Sequence, residues 1–353
     1  MRKILVSDLK PGMILAKDVY NHEDGRLLLL KGFSMKPRYI SKLESLDITY
    51  VYIDEEAVPV AEEDIREEQI YSEAFSTIKN VLTSVREGDS IEVAPVKETV
   101  DEIVQKIINN ENVFMQLTGI RDIDNYTFHH SVDVCIYSVI TGKSLGLSNE
   151  ELTELGMGAI LHDIGKCKIP SEILLKPGRL TDDEFLVMKL HTVYGYEIIY
   201  NTNGLNKQIA NIACQHHEKW DGTGYPVGLR DNQIDKLARI VTVADVYDAL
   251  TANRCYRKKD LPHEAAEFVM GNSGRLFDPD IAKNFINNIQ VYPEGCMVLL
   301  NTGEIGSVVD AGKNMTLRPK LKIIARKEGP PIYDPYIIDL MSNPSIFIVD
   351  ILT

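Results

Sequence analysis

Two hydrophobic rhythms divide the chain. Over residues 1–60 short apolar runs are cut by turn signals (LKPGM, HEDGR, LLLLKG), and residues 49–54, TYVYID, are aromatic and β-branched, as strands prefer. Residues 36–46 read as one helix opening at Pro37, so this part is a small β-rich domain, either a sensory and regulatory module or a plain scaffold. From Glu62 the period lengthens. Ile65, Ile70, Phe75, Ile78, Val81, Leu82 and Val85 recur near helical spacing up to Gly88, and a second helix runs from about Pro95 to Asn109. Residues 61–110 are therefore a helical connector packing on a central bundle. Over 111–290, the bundle itself, apolar runs punctuated by Gly and Pro predict helices near 124–146, 149–161, 182–200, 205–218, 235–251, 263–271 and 279–288. No βαβ alternation or Gly-rich phosphate loop interrupts them. Residues 291–353 return to strand-like runs beginning with a hairpin in YPEGCMVLLNTGEIGSVVDAG. The expected class is multidomain and mainly α: a central helical bundle, a small β-rich N-terminal domain and a small β C-terminal extension.

Composition narrows the field. The chain has 353 residues, 44% of them hydrophobic and 25% charged, as in ordinary globular proteins. No apolar run is long enough to span a membrane, and the N-terminus does not read as a signal peptide. The five cysteines are scattered and in no CxxC spacing, which suits reduced thiols and a cytoplasmic location. A net charge of −14 argues against binding to polymeric nucleic acid, though not against a small anion drawn to a local cationic site. The acidic, stalk-like helices suggest a homodimer.

The chemistry concentrates in the central helices. His162-Asp163 alone is commonplace, since most such pairs are a core histidine beside a capping aspartate. Yet five of the eight histidines, His130, His162, His191, His216 and His217, fall in this region on apolar segments, together with Asp163 and Asp245. Unsatisfied, so many inward polar groups would be costly. Divalent metal ions resolve that cost, because imidazole and carboxylate are their usual ligands. The set exceeds the needs of one four-coordinate ion, and an aspartate such as Asp163 can bridge two, the arrangement of two-metal phosphoester hydrolysis. Beyond His216-His217, the turn Asp221-Gly222-Thr223-Gly224-Tyr225-Pro226 would hold Tyr225 beside the histidines.

YTFHHS, HDIGK, His191, HHEKWDGTGYP and ADVYDALTANRCYR occur in the order and spacing of the HD-GYP family of HD-domain phosphohydrolases, which the chain resembles over roughly residues 120–260. The resemblance implies an HD-type helical bundle and metal-dependent hydrolysis of cyclic di-GMP, a bacterial second messenger, to pGpG or GMP. The alternative is a catalytically weak cyclic di-GMP receptor or scaffold acting through protein partners. Carried over residue by residue, the metal ligands are His130, His162, Asp163, His191, His216, His217 and Asp245. Asp163 and Lys166 are catalytic, and Gly224, Tyr225, Pro226, Arg254 and Arg257 bind substrate. The cofactor implied is two or three divalent ions, iron or manganese. Some members carry a glutamate four residues before the equivalent of His130; here Tyr126 stands there, which makes two ions the default. His22, His129 and His263 read as incidental, the last as exposed.

Overall fold

In a computed structural model, the described residues are 2–352 except 21–26, 30–34, 36–38, 55–61, 110–125, 252–259, 311–316, 328–331 and a few isolated positions. Contacts divide the chain into two units, Met1–Ser72 with Thr353, and Glu73–Leu352.

The first unit holds a three-stranded antiparallel sheet of β1 (Arg2–Leu5), β2 (Ile14–Leu15) and β5 (Tyr50–Asp54) in the order β1-β5-β2. A separate pair joins β3 (Val19–Tyr20) to β4 (Leu27–Leu29). Alternation along β5 turns Val51 and Ile53 inward, onto Val6, Leu15, Met35 and Leu43. Of the helix expected over 36–46, residues 39–40 and 43–44 are helical and most of the rest lie outside the described residues.

Helix α1 (Glu62–Glu87) runs across the division between the units and stops before Gly88, whose φ of 101° ends the helical course. In the second unit, α2 (Val93–Asn109) buries Val96, Val100, Ile103, Val104 and Ile107, a stripe at helical spacing. Its last carbonyls would be unpaired; Lys143 Nζ donates to Ile107 O (2.9 Å) and Ile108 O (3.2 Å) and supplies a cation at that end. The bundle continues with α3 (Tyr126–Ser144), α4 (Asn149–Leu161), the short α5 (Ser171–Leu174), α6 (Asp182–Lys189), α7 (His191–Tyr200), α8 (Lys207–Gln215), α9 (Lys236–Thr251), α10 (Pro262–Gly271) and α11 (Pro279–Asn288). Capping boxes start α4 at Ser148 with Glu151 and α6 at Thr181 with Glu184. Helix α4 packs on α2, α3 and α8, and α3 packs on α9. Gly158 lets α4 lie against α8, since a Cβ there would overlap the Ile212 side chain.

Where one helix was expected over 182–200, the structure has two, separated at Leu190. The carbonyls that would continue the ladder are engaged by side chains instead. His191 Nδ1 donates to Met188 O (2.7 Å) and Thr192 Oγ1 to Lys189 O (2.9 Å). His263 is not exposed as expected. It is half-buried, because its Nδ1 meets the Tyr292 hydroxyl at 2.5 Å.

Beyond α11 an antiparallel sheet forms from β6 (Met297–Leu300), β7 (Glu304–Asp310), β8 (Lys320–Arg326), β9 (Tyr336–Asp339) and β10 (Ile348–Ile351), in the order β10-β6-β7-β8-β9. The expected hairpin is β6–β7, with Val298 opposite Gly306. No helix among the described residues is long and apolar enough to cross a membrane.

Candidate metal centre

The backbone that delivers the histidines uses one device three times. Helix ends leave carbonyls without amide partners. At the end of α4 His162 Nδ1 takes Ala159 O (2.7 Å); at the end of α8 His216 Nδ1 takes Ala213 O (2.9 Å); at the α6–α7 break His191 Nδ1 takes Met188 O (2.7 Å). In each case the carbonyl accepts and Nδ1 carries the proton, so Nε2 presents a lone pair to the interior. This is how metal-binding imidazoles are oriented.

The Nε2 atoms converge on Asp163. Its Oδ1 lies 3.4 Å from His191 Nε2 and 3.8 Å from His216 Nε2. Its Oδ2 lies 3.3 Å from His162 Nε2 and 3.8 Å from His130 Nε2. The carboxylate thus faces two histidines with each oxygen. Asp245 closes the other side, with Oδ1 3.2 Å from His130 Nε2 and Oδ2 3.8 Å from His217 Nδ1. Two ligand sets result: Asp163, His191, His216 and His217, and His130, His162 and Asp245. All seven sequence-predicted ligands come together here, and all are buried except His217, which is half-buried.

Asp163 is positioned by close backbone contact. After α4 the chain turns through a 3-10 segment, Ile164–Lys168, and Gly165 lies against α7 so tightly that a Cβ would overlap the His191 carbonyl and the Gly195 amide. Lys166 Nζ donates to Asp163 Oδ2.

Electrostatics here is burial set against neighbouring charge. Burial alone would raise the Asp163 carboxyl, but Lys166, His162 and His191 outweigh it and hold it well below the ordinary range. Asp245 is likewise low, through His130 and His217. Burial pushes His191, His216 and His217 down, the last two strongly, so these imidazoles are neutral donors. His130 differs. Burial opposes its charge, yet Asp245 and Asp248 together push it up to about 9.

Do these residues fit metal ions? His162 Nε2 and Asp163 Oδ1 are buried and have no hydrogen-bond partner among the described residues. Each such atom costs about 1–3 kcal/mol, and the two point into the same nest of nitrogen and carboxylate donors. Divalent cations in the two ligand sets satisfy both, and the donors are ones that zinc, manganese and iron accept. The residues fit.

Beside the centre runs the loop that leaves His217. The Tyr225 ring lies on His217 with centroids 4.8 Å apart, and its amide donates to His217 O at 3.2 Å. Gly224 permits this return, since a Cβ there would collide with backbone of residues 217–219. The Tyr225-Pro226 peptide is cis. Asp221 Oδ1 accepts from the Thr223 amide (3.0 Å) and hydroxyl (2.6 Å).

Sequence reasoning passed over two carboxylates. Glu218, 1% exposed, accepts from the amides of Val227 (2.8 Å), Gly228 (3.1 Å) and Leu229 (3.0 Å) and so ties down the exit of the Tyr225 loop. Its signal was a charged residue inside a motif whose neighbours turn inward. Asp248, fully buried, accepts from His130 Nδ1 at 2.6 Å; its signal was a second aspartate one helical turn after Asp245. Of the residues set aside as incidental, His129 packs its ring on Phe75 (4.5 Å). His22, Arg254 and Arg257 lie outside the described residues, as does the side chain of Tyr126.

A family model described as HD domain matches residues 102–281, half of the chain and the whole of this centre. The chain belongs to the HD domain family. The histidines and aspartates of its HD-GYP motifs, His130, His162, Asp163, His191, His216, His217 and Asp245, are those gathered at the centre. A second model, a KOW domain associated with HD domain, matches residues 297–353, the C-terminal sheet. Among curated relatives, a cyclic di-GMP phosphodiesterase of Pseudomonas aeruginosa is 35% identical over 76% of this chain and 66% of its own length. One of Thermotoga maritima is 39% identical over 49% of this chain and 47% of its own length. A cyclic di-GMP phosphodiesterase response regulator of Xanthomonas campestris is 47% identical over 40% of this chain and 37% of its own length. The chain thus spans between about a third and two thirds of these relatives. An HDG"Y"P protein from Bdellovibrio bacteriovorus shares the fold, with a TM-score of 0.56 at 21% identity, covering 81% of this chain and 98% of that one.

Proposed function

We propose that this protein is a metal-dependent phosphodiesterase that hydrolyses cyclic di-GMP to pGpG or GMP. The observation that carries this reading is Asp163, buried, ionised and facing two histidines with each oxygen. The substrate rests on the HD-GYP motifs and on relatives named for cyclic di-GMP.

The ligands in this reading are His130, His162, Asp163, His191, His216, His217 and Asp245, holding two iron or manganese ions. When bound, such ions polarise a phosphodiester and lower the pKa of water toward neutrality. The chain's own groups do the rest. Asp163 stays ionised between the two ligand sets. Lys166, paired with Asp163 and 29% exposed, would supply an ammonium to charge developing on the departing 3′-oxygen. Tyr225, with Gly224 and Pro226, forms one wall against the His217 ring. Arg254 and Arg257 bind phosphate and guanine, for which the guanidinium fork is suited.

The test is anaerobic purification with metal analysis, coupled to chromatography of cyclic di-GMP digests. Two ions per chain with pGpG or GMP formed is the expected result. Tightly held, uncut cyclic di-GMP on metal-loaded protein would replace the enzyme with a receptor.

A further inference from the structure

Helix α6 carries two side chains that the proposed hydrolysis leaves unused. Phe185 is 44% exposed, which for a single aromatic means little by itself. Its placement means more. The ring stands edge-on to Tyr225, with centroids 6.3 Å apart and planes at 81°, while Tyr225 lies on the metal-ligand candidate His217. Lys189 stands on the same face of α6, one turn on. Its Nζ lies 4.8 Å from the Phe185 centroid and 5.2 Å from that of Tyr225, so one cation serves both rings. Among the described residues no carboxylate pairs with Lys189.

The platform is anchored at both ends. The Thr181–Glu184 capping box and the Lys176–Glu184 ion pair (2.6 Å) fix its start. His191 and Thr192 hold the carbonyls of Met188 and Lys189 at its end. The break between α6 and α7 that aims His191 inward therefore also fixes where Lys189 and Phe185 stand.

We infer that Phe185 and Lys189 form a subsite for the half of a cyclic dinucleotide that is not being cut. The inference rests on the proposed substrate class. A cyclic dinucleotide carries two purines and two phosphates. While one phosphate lies at the histidine–aspartate centre, the other phosphate and its base extend away from it. That half needs a π-face and a cation outside the ligand cage, and Phe185 and Lys189 supply one of each, joined to the centre through Tyr225.

The test uses the full, metal-loaded chain, with KM and kcat for cyclic di-GMP and calorimetric Kd on the same samples. Phe185→Ala and Phe185→Leu should each raise KM about tenfold, the low end of a base–aromatic stack, with kcat unchanged. Phe185→Trp should restore KM, because a π-face and not apolar bulk is required. Lys189→Gln should raise KM and flatten its dependence on salt. A KM for Phe185→Ala within about twofold of the parent, or a Phe185→Leu protein equal to the parent, overturns the subsite. If the parent protein cuts nothing yet binds cyclic di-GMP, the proposed activity fails, and weaker binding by Phe185→Ala still upholds the subsite. If the parent neither cuts nor binds, both fall.

Discussion

In the C-terminal sheet, polar groups that leave the surface are saturated. Arg318 donates to the carbonyls of Leu340 (2.9 Å), Pro344 (3.1 Å) and Ile346 (2.8 Å), and Glu304 accepts from Tyr336, from Thr302 at 2.9 Å and from Arg326 at 3.4 Å. In the helical bundle, the deepest polar groups are denser, yet His162 Nε2 and Asp163 Oδ1 have no hydrogen-bond partner among the described residues. Both regions bury charge, but only one leaves it unfinished. A saturated cluster is explained by the fold it holds together. An orphaned one, with three of its histidines already oriented by backbone carbonyls, is explained by something that arrives from outside. The difference separates a structural polar cluster from a binding centre without appeal to residue type.

The strongest way to break this comparison is to remove the orphans. Asp163→Asn and His162→Leu should each reduce cyclic di-GMP turnover to background and lower the metal content. The metal-free His162→Leu protein loses the orphaned Nε2 but also the Nδ1 bond to Ala159 O, a net cost of about 0.5–1.5 kcal/mol, so its melting temperature should fall by only a few degrees. A steep fall in metal-free stability would mean that His162 is a packing residue. Next in size is Asp248→Asn. Losing the carboxylate behind His130 should weaken metal affinity about 10–100-fold, read by competition with a chelator, while the helical circular dichroism is kept. Glu218→Gln should cost about 1.5–3 kcal/mol, the worth of hydrogen bonds to a charged group, and should loosen the Tyr225 loop. Denaturant unfolding together with hydrogen exchange at residues 227–229 checks it.

The sheet should respond in the opposite way. Arg318→Ala should speed hydrogen exchange at residues 340–346 and lower stability, again by about 1.5–3 kcal/mol, while turnover of cyclic di-GMP stays at the parental level. The smallest effect concerns Glu304, whose carboxyl the Tyr336 hydroxyl holds below the usual glutamate value despite burial. A depressed folded pKa contributes stability that is present above about pH 4.3 and is lost as pH falls through the lower folded value. Glu304→Gln should therefore lower the sheet's stability at neutral pH and flatten its acid limb.

Much of this was legible along the chain. The run from about Pro95 to Asn109 announced α2, and the helices expected near 149–161 and 279–288 are α4 and α11. The residues of the metal centre were legible as types, because five histidines on apolar segments exceed what a core tolerates. The break at Leu190 was not. Phe185 to Tyr200 keeps a helical pattern throughout, and the interruption comes from His191 and Thr192 taking the carbonyls behind them. Glu218 and Asp248 were also out of reach, since their partners are 9–11 residues away for the first and 118 for the second. His263 reads as a helix-start residue open to solvent until Tyr292 comes back to meet it.

The sequence by itself determined which residues could bind metal, the helical character of the elements that carry them, and the β character of both ends, because these depend on side-chain chemistry and local periodicity. Only the tertiary structure decided that Asp163 faces two histidines with each oxygen, that Asp248 stands behind His130, and that Phe185 and Lys189 share a face with Tyr225. Those relations join segments far apart in the chain, and they are set by where helices end against one another, which local pattern does not encode.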